Sequence, residues 1–304
     1  MTTGTLTRRR IRATLVAMHS SRRNLAIVLG AALAALVADL IAAGVSGSLA
    51  LIADAAHRVT DVVGVAIALA AATIAARPPT ARRTFGWARA EVIAACVNAG
   101  LLMGMGVFIG YEAILRLLEP EAPEPGPMAV AALIGLAGSG LSAMVLRDSH
   151  EGFAARSAFL DVVGDAVGSI AALVAAGLVM LTGFAAADAI ASLAVTVLVI
   201  PRAIFLLRDA VSVLMETTPA HIHPDAIRTR LLAIPGVSGV HDLHAWQITS
   251  GLPMLTVHLT TIPGADIHAV LDAADKAREG EFDISHSTLQ VEPAGHDLES
   301  DAHA

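Results

Sequence analysis

Six long apolar stretches fill the first two-thirds of the chain, at residues 24–44, 48–76, 91–118, 128–146, 157–181 and 188–207. Each reaches the roughly 20 residues that a helix needs to cross a bilayer. Leu and Ala dominate them, and both are good helix formers. The pattern predicts six transmembrane helices. After Glu216 it changes: helices at 223–234 and 266–278 surround strands at 238–248, 252–262 and 286–292. Met254–Leu259 alternates between faces as a half-buried strand does, and Ser250-Gly251 supplies a turn between two strands. The αββαβ order suggests a small α+β domain of the ferredoxin-like kind. The expected organisation is an Arg-rich segment at 1–23, a six-helix membrane domain at 24–210, an α+β domain at 216–292 and a polar, disordered tail at 293–304.

Charge sharpens this picture. Hydrophobic residues make up 55% of the chain and charged ones 15%, with mean hydropathy +0.68. Soluble domains carry roughly 25% charged residues, so water is not the only solvent this chain meets. The net charge of -7 and the 3% aromatic content argue against nucleic acid as a partner. A single cysteine, Cys96, allows no internal disulfide and reads as a packing residue. Arginines precede the first span, fill the loop between spans two and three, flank the loop between spans four and five, and follow span six. The other loops are neutral or acidic, so the positive-inside rule places both termini in the cytoplasm of an inner-membrane protein. Residues 216–304 hold 13 of the 27 acids and nine of the 12 histidines, so acidity and histidine belong mostly to the terminal domain.

Ionisable residues within a span cost roughly 2.5–3.5 kcal/mol each on insertion scales, so they mark function by default. Span one holds Asp39, span two Asp54, His57, Arg58 and Asp61, and span five Asp161 and Asp165. Residues four apart share a helix face, so His57 pairs with Asp61 and Asp161 with Asp165. Facing each other, these pairs supply one imidazole and three carboxylates, donors that suit a divalent cation. Structural ion pairing is the competing reading. It is as strong as any functional one for Asp54 with Arg58, while Asp39 and Asn98 fit either an aqueous path or polar contacts between helices.

Several runs resemble the cation diffusion facilitators, in particular the zinc-type branch of bacterial cobalt–zinc–cadmium efflux transporters. SGSLALIADAAHRVTD from Ser46 to Asp61 is similar to that family's second span. FGWARAE from Phe85 to Glu91, with VNA at 97–99, resembles its entry into span three, and RSAFLDVVGDAVGS from Arg156 to Ser169 its fifth span. IPGVSGVHDLHAW from Ile234 to Trp246, TSG at 249–251 and TLQVE from Thr288 to Glu292 resemble its cytoplasmic domain.

The resemblance implies a homodimer in the lipid bilayer that exports divalent metal in exchange for protons, with no enzymatic activity and no organic cofactor. It places the transport site at His57, Asp61, Asp161 and Asp165. It also places regulatory metal positions near His241, His258, His268 and Glu292. Zinc-selective relatives usually carry His where this chain has Asp161, and oxygen donors suit harder ions. Zn2+ is the expected cargo and possible regulator, with Co2+, Cd2+ or Mn2+ as alternatives. A membrane phosphotransferase would hold its acids within one segment, whereas these are split between distant spans. A passive channel or a membrane metal sensor would show the same site without exchange.

Overall fold

The computed structural model describes residues 22–34, 36–37, 40–41, 49–119, 124–147, 153–284 and 286–295. The chain divides into two compact units, with the break between Val211 and Ser212.

The first unit is helical. Helix α1 covers 22–34, and helical turns recur at 36–37 and 40–41. Then come α2 (Leu49–Ala75), α3 (Arg89–Leu118), α4 (Pro125–Leu146), α5 (Phe153–Thr182) and α6 (Ala187–Leu214). Among the described residues four stretches are long and apolar enough to cross a membrane: α3, α4, residues Ala158–Thr182 of α5, and α6. The second expected span, α2, is 27 residues long, but its first half carries Asp54, Arg58 and Asp61. Among the residues whose side chains are described, its apolar stretch is Asp61–Ala75.

Small residues set how closely these helices approach. A Cβ on Gly106 would lie 2.9 Å from Ile200, and one on Gly110 2.9 Å from Thr196. The two glycines are four apart on one face of α3, and the side chains of Ile200 and Thr196 on α6 reach that face. A second core joins Leu25 and Val28 of α1, Val65, Ala68 and Ala72 of α2, Leu146 of α4, and Ala158 and Val162 of α5. It is tied by Asn24, whose Nδ2 donates to the Val145 carbonyl at 3.0 Å.

The second unit runs α7 (Pro224–Leu232), β1 (Val237–Gln247), β2 (Pro253–Thr261), α8 (Ile267–Gly280) and β3 (His286–Glu292). The strands form one sheet in the order β1-β2-β3. β1 and β2 are antiparallel, and β2 and β3 are parallel, joined through α8. A parallel pair needs such a crossover, and Asp266 starts it by capping α8, its Oδ1 accepting from the backbone N–H of His268 and Ala269. One sheet face presents Val240, Ala245, Leu255, Val257 and Leu259 to Ile227, Leu231, Val270 and Ala274 of the helices. Burying a Leu or Ile side chain of this kind contributes roughly 1.5–3 kcal/mol. Strand periodicity sends the alternate residues, His258 among them, to the opposite face.

Candidate metal sites

The helical unit brings carboxylates from two elements together. Asp61 of α2 interacts electrostatically with both Asp161 and Asp165 of α5. Arg58, one turn before Asp61, acts on Asp165 with the opposite sign. The i,i+4 spacing on α5 sets Asp161 and Asp165 on one face of that helix. Asn98 reaches the cluster from α3: it is buried at 4% exposure, and its Nδ2 donates to Asp161 Oδ2 at 2.5 Å. His57 and Asp54 lie in α2, one and nearly two turns before Asp61, but their side chains fall outside the described residues, as does Asp39 altogether.

The α+β unit holds a second constellation. His241 of β1 and His258 of β2 are register partners across the antiparallel pair, with ring centroids 5.1 Å apart and edge-on at 74°. Glu292, at the end of β3, is 1% exposed and reaches both. Its Oε2 lies 3.0 Å from His241 Nε2, and its Oε1 lies 3.0 Å from His258 Nδ1. Gln290 Nε2 donates to the same Oε1 at 2.7 Å. Burial pushes the Glu292 carboxyl up, but the hydrogen bonds from Gln290 and His241 and the charges of the two histidines outweigh it. The net result holds its pKa below the ordinary value, so the group is an anion at neutral pH.

Asp242 completes this group, and the sequence reading missed it. In a regular strand, neighbours such as His241 and Asp242 face opposite sides. Here the register shifts between His241 and His244, so two residues of β1 oppose one of β2. Asp242 occupies this bulge at φ +47°, a left-handed conformation that Asp tolerates better than most residues. Its Oδ2 is thereby turned to within 3.9 Å of Nδ1 on both His241 and His258. The bulge shows in the pairing of His241 and His244 and not in the sequence. Three apart, they should face opposite sides, yet they pair with His258 and Thr256, which share a face.

One observation favours a cation at this place. His258 Nδ1 is buried and makes no hydrogen bond among the described residues, despite the nearby carboxylate. Ligand atoms from His241, Asp242 and His258 all lie within 4.8 Å of one another. Imidazole nitrogens beside carboxylate oxygens are the donor mixture that suits zinc and its neighbours. His268 does not join this group; it sits exposed in the first turn of α8. If Asp242 is a ligand or orients one, Asp242→Ala should weaken Zn2+ binding to this group about 10- to 100-fold by isothermal titration of the full-length protein. An unchanged affinity removes Asp242 from the site.

A polytopic helical membrane unit with a carboxylate cluster between its helices, followed by a small α+β domain with its own nitrogen and oxygen donors, defines a metal-ion transport protein. The comparisons agree. Residues 25–215 match the cation efflux transmembrane domain, and residues 219–294 match the cytoplasmic domain of cation efflux proteins. The chain is 38% identical over 276 residues to the cation efflux system protein CzcD of Alcaligenes sp. (strain CT14), covering 90% of this chain and 87% of that one. It is 36% identical to the zinc transporter ZitB of Escherichia coli (strain K12), covering 90% and 88%. It is 34% identical to the cadmium, cobalt and zinc/H(+)-K(+) antiporter of Bacillus velezensis, covering 86% and 85%. Among solved structures, the metal-bound C-terminal domain of the CzcD transporter from Cupriavidus metallidurans matches 23% of this chain at 36% identity, with a TM-score of 0.23. The chain belongs to the cation efflux family, whose members are membrane transporters and not enzymes.

Proposed function

We propose that this protein exports Zn2+ from the cytoplasm in exchange for protons, as a homodimer with six spans per chain. In this reading both termini are cytoplasmic, the protein lies in the inner membrane, and the α+β unit is a ferredoxin-like dimerisation and sensing domain. His57, Asp61, Asp161 and Asp165 form the transport site, with Asp54 and Asp39 along the ion path. The observation that carries this is the meeting of Asp61 with Asp161 and Asp165 inside an apolar helical unit. Names of relatives add support, being zinc transporters and a metal/proton antiporter.

The coupling follows from ligand chemistry. Carboxylate and imidazole must be deprotonated to hold a metal, so loading the site releases protons and protonation releases the metal. The positive charge of Arg58, which acts on Asp165, offsets part of the negative charge that the site carries whenever its carboxylates are deprotonated. Cytoplasmic metal bound by His241, Asp242, His258 and Glu292 would cross-link the three strands and favour the transport-competent dimer.

Everted vesicles test the exchange. With the lumen acidic, Zn2+ uptake should be fast; collapse of the gradient should slow it several-fold. Uptake that ignores the gradient overturns proton coupling and favours a passive channel. A second reading, Co2+, Cd2+ or Mn2+ as the preferred cargo, rests on Asp161 standing where zinc-selective relatives carry histidine. The same assay with each metal decides it.

A further inference from the structure

We infer that Asn98 is the residue that makes Asp161 a single-atom ligand, and that it thereby tunes the site toward small, four-coordinate cations. The inference rests on the reading above that Asp161 holds the transported metal. A carboxylate has two oxygens and can bind one cation with one or both. The larger, oxygen-preferring ions reach high coordination numbers partly through two-oxygen carboxylate binding, whereas zinc takes one atom from each of four ligands in a tetrahedron.

At Asp161 the two oxygens are not equivalent. Oδ2 is taken by the Asn98 amide at 2.5 Å. Oδ1 is buried and has no hydrogen-bond partner among the described residues. Asp161 therefore presents one unengaged oxygen, Oδ1, and the amide competes with a cation for the other, which favours single-atom binding. The amide restores, by denticity, part of the selectivity that the missing histidine would have supplied by donor type.

Packing around the amide indicates that this contact is held in place. Asn98 is buried on α3, and residue 64 of α2 lies directly against it. A Cβ at Gly64 would stand 2.8 Å from Asn98 Oδ1 and 3.7 Å from Asp161 Oδ2. That is closer than a side-chain carbon can lie to an amide oxygen, so a larger residue at 64 forces the contact between Asn98 and Asp161 to rearrange. Gly64, Asn98 and Asp161 thus form one contact through three helices. Hydrogen-bonding partners of this sort typically change metal affinity 10- to 100-fold when removed.

The test compares kcat/KM for Zn2+, Cd2+ and Mn2+ in proteoliposomes of the full-length protein carrying Asn98→Leu, Gly64→Ala or Asp161→Ala. Asn98→Leu keeps the volume and removes the N–H. Gly64→Ala touches neither residue chemically and forces their contact to rearrange. Both should shift the Cd2+/Zn2+ and Mn2+/Zn2+ ratios upward, by about tenfold. A purely structural role would lower all three rates in proportion, and unchanged ratios overturn the inference. If Asn98→Leu does not insert and fold, Gly64→Ala decides alone. Asp161→Ala separates the two readings. Retained transport removes Asp161 from the site and the inference with it, whereas lost transport with unchanged ratios in the other variants removes only the inference.

Discussion

Asp61→Ala is expected to lower proton-driven Zn2+ transport by at least ~100-fold while the protein still inserts and folds. Residues that merely orient metal ligands are worth 10- to 100-fold, and Asp61 is proposed as a ligand itself, so the loss belongs at the upper end of that range or beyond it. Asp61 is the residue of α2 whose charge acts on both carboxylates of α5, so removing it takes from the site the one α2 carboxylate among the four proposed ligands. Folding should survive, because the helix packs through Val65, Ala68 and Ala72, which are untouched. Asp188→Ala is the control. That acid is also in the helical unit, but its contact with Arg116 is a 3.4 Å ion pair with an exposed arginine, worth at most about 1 kcal/mol. Vesicle uptake measured on both variants decides the matter. Transport by Asp61→Ala within threefold of the wild type would remove Asp61 from the cation site.

The elements were legible in the sequence for different reasons in the two units. In the α+β unit, strand alternation, the Gly251 turn at φ +75° and the Asp266 cap bounded every element to within about two residues; β3 runs from His286 to Glu292 as expected. In the helical unit, hydropathy marks where the bilayer solvates a helix, not where the helix ends. The apolar stretches at 157–181 and 188–207 lie inside longer helices, which run from Phe153 and on to Leu214. Arg156 and Asp209 extend those helices beyond the apolar stretches, where their 3.5 Å ion pair is solvent-accessible. The carboxylate faces were legible because i,i+4 spacing fixes them within one helix. What joins the helices was not. Nothing local to Gly64 or Asn98 reports that a missing Cβ on α2 makes room for an amide from α3 to reach α5. Asp242 was hidden for a related reason: a bulge changes which face a residue occupies, and alternation assumes that none is present.

Glu292→Ala should abolish the stabilisation of the α+β unit by Zn2+. In the wild type, a metal that binds only the folded domain stabilises it by RT ln(1 + [L]/Kd), about 2.7 kcal/mol at a hundredfold excess over Kd. For a domain of this size each kcal/mol moves Tm by roughly 4–8 °C, so saturating Zn2+ should raise it by about 10–20 °C. Glu292 is the carboxylate in contact with both histidines, at 3.0 Å from each, and its replacement leaves two rings and Asp242 without the buried anion between them. Trp246 on β1 reports unfolding of this unit, and Trp87→Phe leaves it as the sole tryptophan. The metal-free domain supplies the pH arm. The folded Glu292 carboxyl lies below its ordinary value, so its contribution to stability is present above that value. It disappears as the pH falls through the folded pKa, where the carboxyl protonates in the native state too. Metal-free stability should therefore fall less steeply in acid for Glu292→Ala than for the wild type, while the zinc-dependent rise at neutral pH is lost. A Zn2+ shift in Glu292→Ala equal to that of the wild type would place the cation elsewhere and leave His241, His258 and Glu292 as a purely structural polar cluster.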